Sequence, residues 1–170
     1  MTTLHTDRLT LRPFRDADHE PYAAFLADED CTRYLGGTRD AAAAWRVMAA
    51  YCGHWYLRGH GPFAIEEKAS QIFVGYCGPW FPHGKPGQEI IWGVIPSLQG
   101  KGYATEAAKA ARNWVYKACG WPVAISTIMP ENLASRRVAE KLGAVMDGTV
   151  PYEEYTLEVW RHPPSTEVLQ

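Results

Sequence analysis

A chain of 170 residues, 46% hydrophobic and 21% charged, is long enough to bury one core without disulfides and too apolar to be disordered. A net charge of −2 leaves no electrostatic footprint for nucleic acid. No apolar run approaches the roughly 20 residues of a membrane span, and "MTTLHTDRLTLRPFRD" lacks the apolar stretch of a signal peptide. Cys31, Cys52, Cys77 and Cys119 form no C-x-x-C pair and have no clustered histidines beside them. They are expected to be reduced thiols of a cytoplasmic protein, with no metal site and no disulfide framework.

In chain order, "RLTLRPF" alternates Leu9 and Leu11 with Arg8, Thr10 and Arg12, the pattern of a half-buried strand. Asp16 is expected to cap a helix carrying Tyr22, Phe25 and Leu26. A second helix spans Asp40 to about Arg58, with Trp45, Met48, Cys52 and Trp55 at helical spacing. The strands "PFAIEE" and "QIFVGYCGPW" follow, then a Pro- and Gly-rich hairpin connection, "FPHGKPGQ". The next strand, "EIIWGVI", is apolar on both faces after Glu89 and belongs inside a sheet. "YATEAAKAARNWVYKACG" reads as a helix stopped by Gly120, and "VAISTIM" as a strand. "ENLASRRVAEKLG" reads as a helix with Asn132 as N-cap and Gly143 past its end, and the chain closes with two antiparallel strands. This order gives one α+β domain over residues 1–170, with residues 163–170 as a loose tail.

Between strand and helix, "QGKGYA" places glycines where a helix is about to begin. A helix N-terminus exposes unpaired N–H groups, and glycines let a loop close around an anion. The alternative is a loop that merely turns a corner. A Walker A loop is excluded, because Lys101 is followed by Gly102 rather than by Ser or Thr. A dinucleotide fold is excluded as well, since G-x-G-x-x-G is absent.

"QGKGYA" resembles the Q/R-x-x-G-x-G/A signature of the GNAT acetyltransferases. "TDRLTLRPF", "EIIWGVIPSLQGKGYATEA" and "PENLASRRVAEKLGA" resemble, in that order, the ribosomal-protein N-terminal acetyltransferase branch of that superfamily. The resemblance covers nearly the whole chain. It implies a mixed central sheet of about seven strands, splayed after the fourth, with about four helices. It also implies acetyl-CoA as co-substrate and an amine as acceptor, in a monomer or homodimer. Backbone amides of Gln99, Gly100, Lys101, Gly102, Tyr103 and Ala104 would hold the pyrophosphate, Trp92 and Val94 would pair with the pantetheine arm, and Asn132 would hydrogen-bond that arm. Ser135 matches the position of a serine near the thioester sulfur, a proton donor to the departing thiolate.

Acyl transfer to an amine needs a base, and Glu89 stands where several members of the superfamily carry one. Its alternative is a strand-end carboxylate facing water. Glu153 and Glu154 are weaker candidates for that role. The acceptor side would be shaped by "YLGGTRD" and "DGTVPYEEY", with Arg33, Tyr34, Trp80, Phe81, His83 and Tyr152 as candidates. Two features depart from the ribosomal-protein enzymes: "LGA" at Ala144 in place of "LGF", and the ending "VWRHP". The acceptor therefore stays open between a small amine and a protein N-terminus. The non-enzymatic alternative is a degenerate module that binds CoA for regulation.

Overall fold

The computed structural model describes residues 2–169 and arranges them on eight strands: β1 (Leu4–His5), β2 (Leu9–Arg12), β3 (Phe63–Glu67), β4 (Phe73–Trp80), β5 (Glu89–Val94), β6 (Ile125–Ile128), β7 (Val145–Tyr152) and β8 (Tyr155–Arg161). They form one sheet in the order β1-β2-β3-β4-β5-β6-β8-β7. Every pairing is antiparallel except β5 with β6. The helices are α1 (His19–Ala27), α2 (Glu29–Thr32), α3 (Ala41–Arg58), α4 (Tyr103–Cys119), α5 (Leu133–Lys141) and α6 (Ser165–Val168).

Each face of the sheet is covered by a different kind of side chain. On one face α4 lays Ala107, Ala108, Ala111 and Val115 against Ile65, Val74, Ile90 and Val94. Small residues on the helix let it lie close to the sheet. On the other face α1 and α3 contribute Tyr22, Phe25, Leu26, Met48 and Tyr51, which pack on Tyr76 and Phe14 in a run of edge and tilted ring contacts. Strand β5 obeys the two-residue alternation: Ile90, Trp92 and Val94 join the α4 side, whereas Ile91 and Ile95 join the α1–α3 side.

Where β4 meets β5 the backbones are very close. A Cβ on Gly75 would lie 2.0 Å from the Gly93 carbonyl oxygen, and one on Gly93 would lie 2.5 Å from the Tyr76 ring. No larger residue fits either position, which explains glycines inside central strands.

Four details depart from the sequence reading. The eighth strand is the two-residue β1, too short to carry a periodicity, which pairs Leu4 with Leu11. Two further helices, α2 and α6, are single turns. Asp16 does not cap α1; it opens a 3₁₀ turn over Asp16–Asp18, and it is the Asp18 carboxylate that accepts the Arg15 N–H at 2.9 Å. Asp18 is 2% exposed and therefore needs a charge partner, supplied by Arg12 at 2.7 and 2.8 Å, which also reaches Glu66 at 3.0 Å. The tail is also tied down: the Ser165 N–H donates to the Pro122 carbonyl at 2.9 Å, and Val168 packs on the main core.

Candidate active site

Strands β5 and β6 touch only at their beginning. Glu89 pairs with Ile125, and the Ile125 N–H donates to the Gln88 carbonyl at 2.9 Å. One step on, the Ser126 hydroxyl donates to the Ile90 carbonyl at 2.6 Å and lies 3.0 Å from His162 Nε2. A side chain has replaced the next rung of the ladder, and the two strands part beyond it. On its other edge β5 stays paired with β4 as far as Gly75–Val94, and the Ile95 N–H donates to the Val74 carbonyl at 3.0 Å. Backbone groups alternate from edge to edge along a strand, so those of Trp92 and Val94 face the gap. Gln99 folds back and donates its side-chain amide to the Val94 carbonyl at 2.9 Å, leaving the Val94 N–H and both Trp92 groups along that edge.

The gap ends at the glycine turn. Gly100 and Gly102 both lie in the left-handed region, at φ +76° and +85°, and Gly102 is the residue from which α4 starts. The first bond into α4 runs from the Glu106 N–H to the Gly102 carbonyl at 3.0 Å. The N–H groups of Tyr103, Ala104 and Thr105 therefore lie ahead of the intrahelical ladder, at the positive end of a 17-residue helix. Tyr103 contributes backbone alone, for its ring is buried beneath the Arg8 guanidinium and its hydroxyl donates to Glu67.

The two catalytic candidates stand on opposite faces of the sheet. Glu89 lies on the α1–α3 side by strand alternation and is 1% exposed, so it is not a carboxylate facing water. Burial raises its pKa; Lys85, with Nζ 3.6 Å from Oε2, and the Thr127 hydroxyl, donating to Oε1 at 3.1 Å, pull it part of the way back. The Lys85 ammonium also sits 4.1 Å above the Tyr152 ring. On the α4 side, Trp92 donates its indole N–H to Ser135 Oγ at 3.3 Å. Indole is a donor only, so the serine oxygen accepts here and its own proton stays free to donate.

Asn132 caps α5, accepting the Ser135 N–H at 3.1 Å, and Arg112, buried in α4, donates to the Leu142 carbonyl at the far end of α5 at 2.7 Å. Both contacts fix the helix that carries Ser135. Replacing Asn132 with alanine is expected to cost about 1 kcal/mol. Thermal unfolding should show this as a loss of about 2–4 °C.

Several other candidates fall outside this group. Glu153 and Glu154 form the tip of the β7–β8 hairpin, with Glu153 at φ +52°. Trp80 packs in the core against Tyr51 and His54, Phe81 lies under Arg58, and Arg33 pairs with Asp30. His83 is exposed. Ala144 is buried with Ile128, Ala139 and Trp160, so its small side chain serves a core. Sequence reasoning missed Lys85 and Thr127, whose positions depend on a loop conformation and on strand register, neither of which has a local pattern. Among the described residues no group of three or more His, Cys, Asp or Glu side chains is placed to hold a metal ion, and no helix is long and apolar enough to cross a membrane.

Comparison with known proteins gives a consistent picture. The family model described as "Acetyltransferase (GNAT) domain" matches residues 8–145. The uncharacterized N-acetyltransferase YnaD of Bacillus subtilis is 26% identical over 143 residues, covering 84% of this chain and 82% of that one. An acetyltransferase from Agrobacterium tumefaciens superposes with a TM-score of 0.88 at 32% identity, covering 96% of this chain and 95% of that one. At 17% identity and a TM-score of 0.76, covering 97% and 100% of the two chains, the fold is shared with spermidine N-acetyltransferase from Vibrio cholerae, solved with CoA and spermine.

Proposed function

Since the chain belongs to the GNAT acetyltransferase family, we propose that it moves the acetyl group of acetyl-CoA to a primary amine by direct attack in a ternary complex. The observation that carries this reading is the gap between β5 and β6. It has a strand edge open at both Trp92 groups and at the Val94 N–H, a glycine turn leading into the α4 N-terminus at one end, and a buried carboxylate and a serine hydroxyl on its two faces. The shared fold of the CoA-bound spermidine enzyme supports the same choice of co-substrate.

In this reading the amides of Gly100 to Ala104 cradle the pyrophosphate and Lys101 adds a positive charge, whereas the Gln99 N–H, expected to join them, is already given to the Pro96 carbonyl at 3.1 Å. Trp92 and Val94 receive the pantetheine arm as an added strand, and one of their N–H groups holds the thioester oxygen as it gains charge. The Asn132 carboxamide, whose oxygen caps α5, has its NH₂ to offer the same arm. Glu89 takes a proton from the amine on the α1–α3 side, directly or through water. The amine nitrogen bonds to the thioester carbon, the C–S bond breaks, and Ser135 donates a hydrogen bond to the departing sulfur from the opposite side. The base and the thiolate partner are thus kept apart by the sheet itself.

The acceptor is a small-molecule amine or a protein N-terminus. The ordered motifs favour the ribosomal-protein branch, whereas "LGA" at Ala144 and the ending "VWRHP" set this chain apart from it. Free-thiol release from acetyl-CoA, followed with mono- and polyamines and with short peptides, tests the proposal. Turnover with at least one amine class is expected. CoA binding with no turnover across the panel would instead mark a regulatory module.

A further inference from the structure

The segment Thr6–Asp7–Arg8 belongs to a motif with no chemistry of its own in the reaction, yet it is wound around the start of α4. Glu106, in the first turn of that helix, accepts four bonds from it. The Thr6 hydroxyl and the Arg8 N–H reach Oε1 at 2.5 and 2.9 Å, and Arg8 Nε and Nη2 reach Oε2, both at 2.7 Å. The Leu9 N–H closes the turn on the Thr6 hydroxyl at 2.9 Å. The remaining arm of the guanidinium, Nη1, donates to the Lys101 carbonyl at 2.9 Å. From this geometry we infer that Arg8 is a positioning residue for the anion cradle, setting the direction in which the Gly102 amide points.

The reason lies in the planarity of the peptide bond. Across the trans bond between Lys101 and Gly102, the carbonyl and the N–H point in opposite directions. Arg8 holds the Lys101 carbonyl toward itself, so the Gly102 N–H points the opposite way, away from the guanidinium. The same guanidinium lies 3.4 Å from where a Gly102 Cβ would be and stacks on the Tyr103 ring at 4.6 Å, so three consecutive residues are referenced to one side chain. A glycine-rich turn is otherwise free to flip, and fixing it beforehand removes an ordering cost from binding. Arg8 is not itself a phosphate ligand in this scheme: its charge is already matched by Glu106 through a two-point contact.

The inference rests on acetyl-CoA being the co-substrate, and two charge-opposite variants separate the possibilities. If Arg8 positions the turn, Arg8→Gln and Glu106→Gln both break the clip. Each should raise the KM for acetyl-CoA roughly tenfold, the loss of about one charge-assisted hydrogen bond, with kcat within about twofold. Acetyl-pantetheine, which lacks the pyrophosphate, should show an unchanged KM with both variants. If Arg8 acted on the phosphates by charge alone, Glu106→Gln would bind acetyl-CoA as tightly as wild type or more so; that result, or an equal loss with acetyl-pantetheine, overturns the positioning role. Arg8→Lys, which keeps the charge but loses the fork, should behave as Arg8→Gln and provides the measurement if glutamine unfolds the chain. A wild-type protein that fails to bind CoA in calorimetry would remove the co-substrate reading and this inference with it.

Discussion

Glu89→Gln is expected to lower kcat/KM roughly 10²–10⁴-fold, the range for loss of a positioned general base. The substitution keeps shape and the ability to meet the Thr127 hydroxyl, so the fold should persist while the proton acceptor is lost. The pH profile carries the sharper information. Burial raises the Glu89 pKa and Lys85 opposes that rise, so wild-type activity should fall as the pH drops through the resulting value, and the variant should lack this acidic limb. The sign for stability runs the other way. A carboxyl that binds its proton more tightly in the fold than in the unfolded chain contributes stability at acid pH, and that contribution is lost as the pH rises through the folded-state pKa. Activity and stability should therefore respond oppositely to pH in the wild type, and this opposition should be weaker in Glu89→Gln. A variant that keeps the acidic limb would place the base elsewhere.

Gly102→Val is expected to weaken acetyl-CoA binding by roughly ten- to a hundredfold, because a non-glycine residue held at positive φ costs about 1–3 kcal/mol and the turn can escape that cost only by re-aiming its amides. Valine is a severe choice, since β-branched residues are least tolerant of the left-handed region. Space is not the main obstacle: the nearest atom to a Cβ at this position is the Arg8 Nη2 at 3.4 Å. Gly100→Asn is the informative control. At φ +76° with nothing within 4 Å of a Cβ, asparagine should be accepted with an affinity loss of no more than about fivefold. Calorimetry with acetyl-CoA checks both variants, and unchanged affinity in Gly102→Val would remove the cradle from this turn.

The parts of this architecture that were legible in the sequence are those with a local cause. Gly100 and Gly102 marked the turn because only glycine takes a positive φ freely, and Asn132 marked the start of α5 because an exposed N–H needs an acceptor. The apolar run of "EIIWGVI" identified a central strand, as β5 proved to be. The splay beyond that strand came from resemblance rather than from pattern. In physical terms it depends on a single parallel register, Glu89 with Ile125, and on Ser126 taking the Ile90 carbonyl, and both are tertiary. Glu89 looked equally like a solvated strand end, since a carboxylate beside an apolar run carries no mark of its depth. Its surroundings are tertiary: the Thr127 hydroxyl from β6 and the Lys85 ammonium set over Tyr152 join residues far apart in sequence. The clip of Thr6 and Arg8 on Glu106 spans about a hundred residues and was likewise invisible. The Asp16 expectation failed because α1 grows directly out of the Asp16–Asp18 turn, so neither aspartate side chain caps it, and the buried Asp18 carboxylate, held by Arg12, turns back to the Arg15 N–H instead.

Backbone amide hydrogen exchange by NMR, with and without acetyl-CoA, tests most directly whether the β5–β6 gap is the binding slot. Binding is expected to slow exchange at Trp92 and Val94 and at the amides from Gly100 to Ala104, with Ile91 and Gly93, already facing β4, little changed. Acetyl-CoA that binds while Trp92, Val94 and the glycine turn exchange as in the free protein would contradict that assignment.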